Sequence, residues 1–299
     1  MTNEPKYRLY AAVSTPFDKN NNVDIGAMAL HSKWLIEEGC DGLVIFGSTG
    51  EAVSLTMQER VDTLSALIEE GIPSSRLLIG TGCCAIADTV ELSTHALKSG
   101  CHGVLIMPPF LFKGLSDEGL QETFRKIIQG VGADDLKIYL YHFPALSGVK
   151  FTSSLVNKLM AEFPNNIVGY KDSGGDWENT KDIIDNCKAL HVYSGSEIPL
   201  SDVLKHGGAG CISATANTQA KFIKAIIEAW YSDDDQAMQV AQEHATVNRM
   251  ILQDYSPMAA AVKSSVASIS GNDIWLNIRP PLVSISEESA SQLMGSLKL

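Results

Sequence analysis

Lys171 has the setting of a nucleophile in this chain. It directly follows the apolar run of residues 167–170, and two acidic residues, Asp172 and Asp176, come shortly after it. Because an ammonium group is costly to bury, such a position favours the neutral amine, which is the form that attacks a carbonyl carbon. A lysine that pairs with Asp172 or Asp176 in a structural role fits the same pattern. The position alone leaves two roles open, an imine-forming catalyst and a structural ion pair.

Two further segments carry polar groups that suit a carbonyl substrate. The turn Gly47-Ser48-Thr49-Gly50 combines two glycines, which let the backbone approach a ligand, with two hydroxyls and N–H groups that can hold a carboxylate. Tyr141 offers a phenol that can carry protons during imine formation. Each feature also has an ordinary explanation, since polar turns and packed tyrosines are common at strand ends. Glu51, next to the turn, fits a helix cap as well as a substrate contact.

A fold that gathers the ends of strands is needed to bring these segments together. The chain repeats a short apolar run, a loop with Gly, Pro or Ser, and an amphipathic helix. The runs are continuously apolar, as in a parallel sheet that is buried on both faces. Eight repeats predict a TIM (β/α)8 barrel, in which reactive residues lie at the carboxyl ends of the strands. The predicted strands are 9–14, 42–46, 77–81, 103–107, 138–142, 167–171, 191–194 and 210–214.

The repeating pattern ends near residue 231, so the predicted barrel covers residues 1–231. Residues 232–299 begin with an acidic turn and contain helical segments near 236–253, 257–270 and 286–298. They are predicted to form a C-terminal helical extension of the same domain. Within the barrel the first two helices are predicted at 25–38 and 56–70. The residues expected to cap helix starts are Asp24, Thr56 with Glu59, Ser116 with Gly119, and Thr152.

Composition restricts the class of protein. With 299 residues and 45% hydrophobic content, the chain can bury a large core as one barrel domain. A net charge of −12 argues against a nucleic-acid partner. No apolar run approaches the roughly 20 residues of a membrane span, and the N-terminus lacks an apolar signal core, which predicts no membrane contact and a cytoplasmic location. The six cysteines show no metal-binding spacing and are expected to be reduced thiols.

Three segments together resemble the dihydrodipicolinate synthase / N-acetylneuraminate lyase family of class I, lysine-dependent aldolases. They are Gly47-Ser48-Thr49-Gly50-Glu51, Tyr141-x-x-Pro144, and Gly169-Tyr170-Lys171-Asp172-Ser173. Residues 194–197 and 207–217 add to the match, which covers the whole barrel. The resemblance implies pyruvate and an aldehyde as small-molecule partners, a homotetramer, and no metal or organic cofactor, because the imine nitrogen itself takes up electrons.

The resemblance also implies roles for single residues. Lys171 forms the imine with pyruvate, and Tyr141 relays protons that the Thr49 hydroxyl hands to it. Ser48 and Thr49 bind the carboxylate through N–H groups and hydroxyls. The full set of implied substrate contacts is Gly47, Ser48, Thr49, Ser173, Gly195, Ser196, Glu197 and Ile212.

Two departures separate the chain from the synthase branch of this family. Synthases have an arginine two residues after the proline of the Tyr-x-x-Pro motif, where this chain has Leu146, and a tyrosine from a neighbouring subunit, where this chain has Phe110-Leu111-Phe112. Residues 144–150 instead resemble N-acetylneuraminate lyases, although Ala214 stands where those lyases have a serine. The resemblance favours cleavage of a 2-oxo sugar acid to pyruvate and an aldehyde.

Several alternatives remain open beside this reading. Within the same chemistry they are condensation of pyruvate with aspartate semialdehyde and dehydration of a sugar acid; a barrel that only binds a metabolite is the alternative from another class. Phe110 and Phe112 are expected either to wall the substrate or to contact a second subunit. His142 is expected to pack behind Tyr141, because neighbouring strand residues point to opposite faces. Lys263 has no predicted role.

Overall fold

The computed structural model describes residues 8–299. Eight parallel strands close into a barrel in sequence order, and the last strand pairs with the first. This confirms the predicted TIM barrel. The strands are β1 (Arg8–Ala12), β2 (Gly42–Ile45), β3 (Leu77–Gly80), β4 (Gly103–Ile106), β5 (Ile138–His142), β6 (Ile167–Asp172), β7 (His191–Ser194) and β8 (Gly210–Ser213).

Most predicted strands extend one or two residues beyond the observed carboxyl ends. The apolar residues there already belong to the loops: Phe46, for example, has a φ of 62°, which takes it out of strand geometry. The N-terminal stretch on which we predicted no export signal begins in residues 1–7, which lie outside the described residues.

Twelve α-helices are found among residues 8–299, and the predicted caps are confirmed. The side chains of Asp24, Thr56, Ser116 and Thr152 each accept a hydrogen bond from the first turn of their helix, and Thr56 forms a capping box with Glu59. The helices are α1 (Ile25–Glu37), α2 (Met57–Glu69), α3 (Ile86–Lys98), α4 (Asp117–Val131), α5 (Pro144–Ser147), α6 (Ser153–Glu162), α7 (Trp177–Asn186), α8 (Leu200–Lys205), α9 (Ala216–Tyr231), α10 (Asp235–Gln253), α11 (Met258–Ser270) and α12 (Glu287–Ser296).

Alternate strand residues fill two separate cores. Those that point outward pack against the surrounding helices and form the larger core. Those that point inward fill the barrel itself, as the layered interior of this fold requires. The inward set includes Tyr10, Val44, Leu78, Leu105, Tyr139, Tyr141, Tyr193 and Ile212.

The C-terminal extension forms most of a third core, which also includes Ala27 of α1. Helix α10 lies on α9, and α11 and α12 enclose the buried Trp275 together with Leu252, Val266 and Leu293. Several polar contacts join this extension to the rim of the barrel, among them the ion pair of Lys263 in α11 with Glu51. No helix within residues 8–299 is both long enough and apolar enough to cross a membrane.

Candidate active site

A β-bulge in β6 aims Lys171 into the barrel. Ile138 of β5 pairs with Ile167, but the next residue, Tyr139, already pairs with Gly169, so β6 contains one extra residue at this point. An extra residue turns every later side chain of the strand onto the other face. Lys171 therefore points inward, in register with the inward-facing Tyr141.

Gly169 makes this register possible. A Cβ atom on Gly169 would lie only 2.1 Å from Cδ1 of the Tyr139 ring, which fills the barrel beside it. Because real carbon contacts are about 3.5 Å or longer, only glycine fits at this position while Tyr139 stays in place.

Lys171 is buried without a carboxylate partner among the described residues. Its side chain is 3% exposed and its Nζ lies 4.4 Å from the centroid of the Tyr141 ring. Asp172 points to the outer face, where its carboxylate accepts hydrogen bonds from the Gly174 N–H, Asn179 Nδ2 and Thr180 Oγ1 at 2.8–3.1 Å. Asp176 caps helix α7. The alternative of a structural ion pair between Lys171 and either aspartate is therefore wrong.

The hydroxyl that meets Tyr141 belongs to Ser48. The Ser48 Oγ lies 2.9 Å from Tyr141 Oη, within hydrogen-bond distance. We predicted Thr49 for this contact, but the Thr49 hydroxyl has no hydrogen-bond partner within residues 8–299. The resemblance implied the role of Thr49, and the structure gives this contact to the preceding residue, Ser48.

The turn after β2 presents free N–H groups. Within the described part of the chain, the backbone N–H groups of Ser48, Thr49 and Gly50 have no acceptor, whereas the Glu51 N–H returns to the Ser48 carbonyl at 3.2 Å. Consecutive free N–H groups at a turn make a concave site that suits an anion. Gly50 is held close to the loop after β1, because Thr15 Oγ1 donates to its carbonyl at 2.7 Å.

Glu51 has a role that the sequence did not indicate. It is fully buried, and its carboxylate binds Lys263 Nζ at 2.8 Å. The helix cap that we considered for Glu51 is supplied by Thr56 instead. Lys263 lies 212 residues further along the chain. No local pattern can reveal a pair so widely separated.

The remaining residues predicted to contact substrate are not gathered at one place. Ser173 and Gly195 are adjacent at the rim, since a Cβ on Gly195 would lie 2.1 Å from Ser173 Oγ. Glu197 is fully buried and accepts a hydrogen bond from Ser213 Oγ at 2.6 Å. Ile212 faces the barrel interior, so its neighbour Ser213 faces outward. The carboxylate of Glu197 thus lies behind β8, and the structure does not bring it together with Lys171.

His142 occupies the outer face, as predicted. Its Nδ1 accepts the Phe151 N–H at 3.1 Å, and its ring stacks on Tyr170. Burial lowers the pKa of His142, while the nearby carboxylate of Asp172 opposes this shift.

The six cysteines are free thiols. Among residues 8–299, no group of three or more His, Cys, Asp or Glu side chains could hold a metal ion.

The fold and the site together define an α/β-barrel protein with a buried lysine at its reactive rim. A family model described as the dihydrodipicolinate synthetase family matches residues 6–299. The chain therefore belongs to this family of lyase and synthase enzymes.

Relatives in sequence and structure agree with this assignment. An uncharacterized DapA-like lyase from Chloroflexus aurantiacus is 30% identical over 96% of this chain and 95% of its own. A 4-hydroxy-tetrahydrodipicolinate synthase from Prochlorococcus marinus is 34% identical over 76% of this chain and 74% of its own. Among solved structures, dihydrodipicolinate synthase from Agrobacterium tumefaciens is 34% identical with a TM-score of 0.90, covering 97% of this chain and 98% of that chain. YagE from E. coli, solved in complex with pyruvate, is 27% identical with a TM-score of 0.90, covering 97% of this chain and 96% of that chain.

Proposed function

We propose that this protein is a Schiff-base lyase that cleaves a 2-oxo acid, of the sugar-acid type, to pyruvate and an aldehyde. One observation carries the proposal: Lys171 is buried, unpaired with any described carboxylate, and placed against Tyr141, whose phenol contacts Ser48. The complex of the related YagE with pyruvate supports pyruvate as the common product.

The chemistry follows from the two groups that face each other. The neutral amine of Lys171 attacks the ketone carbon, and loss of water from the resulting carbinolamine gives the imine. The Tyr141 phenol donates the proton that the departing hydroxyl needs, and its phenolate then takes the proton of the C4 hydroxyl. The C3–C4 bond breaks, the aldehyde leaves, and the electron pair passes to the imine nitrogen as an enamine forms. Protonation at C3 and hydrolysis release pyruvate and the free lysine.

The turn after β2 supplies the carboxylate site. The free N–H groups of Ser48, Thr49 and Gly50 suit the carboxylate of the 2-oxo acid, and the Ser48 hydroxyl stands next to Tyr141 to pass protons. In this arrangement Ser48 takes the relay role, and Thr49 contributes its N–H. The imine nitrogen acts as the electron sink, so the proposed reaction needs no metal.

A second candidate is condensation of pyruvate with aspartate semialdehyde, the reaction type of the named synthase relatives. One contact favours it. The Lys113 ammonium lies 3.1 Å from the Ser147 carbonyl and 3.4 Å from that of Leu146, which places a positive charge beside the position where synthases have an arginine. Lys113 is fixed by carbonyls, however, and Leu146 itself presents a half-exposed apolar side chain, which does not grip a carboxylate.

Borohydride reduction in the presence of pyruvate tests the proposal. We expect a stable pyruvate adduct on Lys171, found by peptide mass analysis and absent from Lys171→Ala. Lys181, an exposed lysine paired with Asp185, serves as the control, and its peptide should stay unmodified. Pyruvate consumption with aspartate semialdehyde, compared with release of pyruvate from sugar acids, then decides between the two candidates. An adduct-free Lys171 in the reduced wild-type protein would end the proposal.

We further propose that the enzyme is a homotetramer. Leu111 and Phe112 support this, because two large apolar side chains exposed side by side are typical of a subunit contact. Light scattering should show four subunits per particle, and a monomeric mass would contradict the proposal.

A further inference from the structure

A buried ion pair joins the C-terminal extension to the turn after β2. Lys263 Nζ lies 2.8 Å from Glu51 Oε1, and the two side chains are 1% and 0% exposed. The second oxygen of Glu51 accepts the Arg279 N–H at 3.4 Å, and the Lys263 ammonium lies 4.4 Å from the centroid of the Phe17 ring. Burial lowers the pKa of Lys263, and the charge of Glu51 opposes that shift.

Glu51 is attached to the part of the turn that holds Ser48. Its backbone has a left-handed φ of 55°, which is rare for a residue with a side chain and persists only where the surroundings impose it. Its N–H donates to the Ser48 carbonyl at 3.2 Å, and its own carbonyl accepts the Ser54 N–H at 2.8 Å. Whatever fixes the Glu51 side chain therefore also fixes the backbone that presents Ser48.

Two arginine side chains bind the backbone that follows Glu51. The guanidinium of Arg60 donates to the Ala52 carbonyl, and that of Arg279 donates to the Ser54 carbonyl at 2.6 Å. These two contacts bind backbone beyond Glu51. Of these charged contacts, the ion pair of Glu51 with Lys263 is the one nearest in sequence to Ser48.

We propose that the Lys263–Glu51 pair is a positioning device for the active site: through it, the C-terminal extension holds the turn so that Ser48 meets Tyr141 and its free N–H groups face the substrate carboxylate. The inference rests on the proposed function, and it names two positioning residues that do not themselves touch substrate. A purely structural pair would stabilise the barrel without affecting pyruvate binding.

A second Lys–carboxylate ion pair, partly exposed and at the other end of the barrel, separates these two roles. Lys224 Nζ lies 2.7 Å from Asp41 Oδ2 and ties helix α9 to the start of β2, far from the reactive rim. Both Lys263→Met and Lys224→Met should lower the melting temperature. Only Lys263→Met should raise the pyruvate concentration that gives half-maximal borohydride trapping. It should also slow adduct formation by about 10-fold to 100-fold, as expected when reacting groups are displaced by about 1 Å.

The double variant Glu51→Gln/Lys263→Met covers the case in which Lys263→Met fails to fold, because it removes both buried charges at once. We expect it to fold, with a slow adduct rate like that of Lys263→Met. Hydrogen exchange of the peptide containing residues 47–55 gives a reading that does not depend on activity. It should accelerate in the double variant and not in Lys224→Met.

The outcomes separate the two proposals. No adduct in the wild-type protein would refute the lyase function, while the exchange data would still report on the turn. Wild-type adduct formation and unchanged exchange in the double variant would overturn the positioning role.

Discussion

Gly169 lies where β6 has no room for a side chain, and its replacement by alanine tests how Lys171 is aimed. The added Cβ would lie 2.1 Å from Cδ1 and 2.4 Å from Cε1 of the Tyr139 ring. Carbon atoms in contact are about 3.5–4.0 Å apart, so ring and strand would have to separate by more than about 1 Å. The ring cannot easily retreat, because it is buried and its hydroxyl is hydrogen-bonded to His102 Nε2 at 2.9 Å.

We expect Gly169→Ala to lower the free energy of unfolding by about 3 kcal/mol, the upper part of the range for overpacked cores. For a domain of 299 residues, whose unfolding entropy is about 2.1 cal/mol/K per residue, this corresponds to a melting temperature about 5 °C lower. Because Lys171 is only two residues away, the shift of β6 should also slow adduct formation more than about tenfold. Thermal unfolding and borohydride trapping measure the two effects.

Two further variants make the result interpretable. Gly119→Ala, in the first turn of α4, adds a Cβ no closer than 3.6 Å to a neighbour. It should stabilise the protein by about 0.5 kcal/mol and leave trapping unchanged. Combining Gly169→Ala with Tyr139→Leu removes the ring and should recover part of the loss. If Gly169→Ala alone were as stable and as reactive as the wild type, the close approach of β5 and β6, and with it our account of the bulge, would be refuted.

Three other predictions follow from the same geometry. Tyr141→Phe should reduce turnover by about 100-fold to 10,000-fold, the range for loss of a general acid-base group, and Ser48→Ala should have a smaller effect in the same kinetic assay. Asp172→Asn should cost about 1–3 kcal/mol in urea unfolding, because buried hydrogen bonds are mismatched, yet retain the lysine adduct. Burial lowers the pKa of His31 to about 4 from an ordinary 6.5, so its contribution to stability is complete above pH 6.5 and is lost as the pH falls toward 4. The unfolding free energy should therefore drop by about 2 kcal/mol from pH 7 to pH 5, and His31→Gln should lack this part of the slope.

Each of these has a distinct contrary result. A Tyr141→Phe enzyme with normal turnover would remove the phenol from the mechanism. Loss of the adduct in a well-folded Asp172→Asn protein would show that this carboxylate acts on Lys171 after all. An unchanged pH slope in His31→Gln would mean that other groups dominate acid unfolding.

Local features of the chain were predictable because their causes are local. The apolar runs define the strands, and the Thr56–Glu59 capping box follows from two residues three positions apart. Lys171 was predicted as a candidate nucleophile because a lysine that follows an apolar run is unusual, whatever the tertiary structure around it. These features need only the side-chain pattern and the period of the backbone.

The errors concern features that depend on distant partners. Thr49 was assigned to Tyr141 from the resemblance, but the hydroxyl that meets Tyr141 is that of Ser48, 93 residues away in the chain. The pair of Glu51 with Lys263 joins residues that no local pattern connects. Glu197 was assigned to the substrate from the resemblance, but its hydrogen bond with Ser213 turns it behind β8. The bulge in β6 also escaped prediction, because it is defined only against the register of β5.

The bulge in β6 explains why β5 and β6 present their candidate reactive residues on one face and their stabilising residues on the other. After it, Tyr141 and Lys171 share the inner face, while their neighbours His142 and Asp172 share the outer face. The outer pair is enclosed by backbone and helix donors, namely the Phe151 N–H on His142 and Thr180 Oγ1 on Asp172. Among residues 8–299, the inner pair has no such hydrogen-bond partner apart from Ser48. Charge and hydrogen bonding on the outer face therefore anchor the strands, and the inner amine keeps the unpaired state that the proposed reaction with a carbonyl group requires.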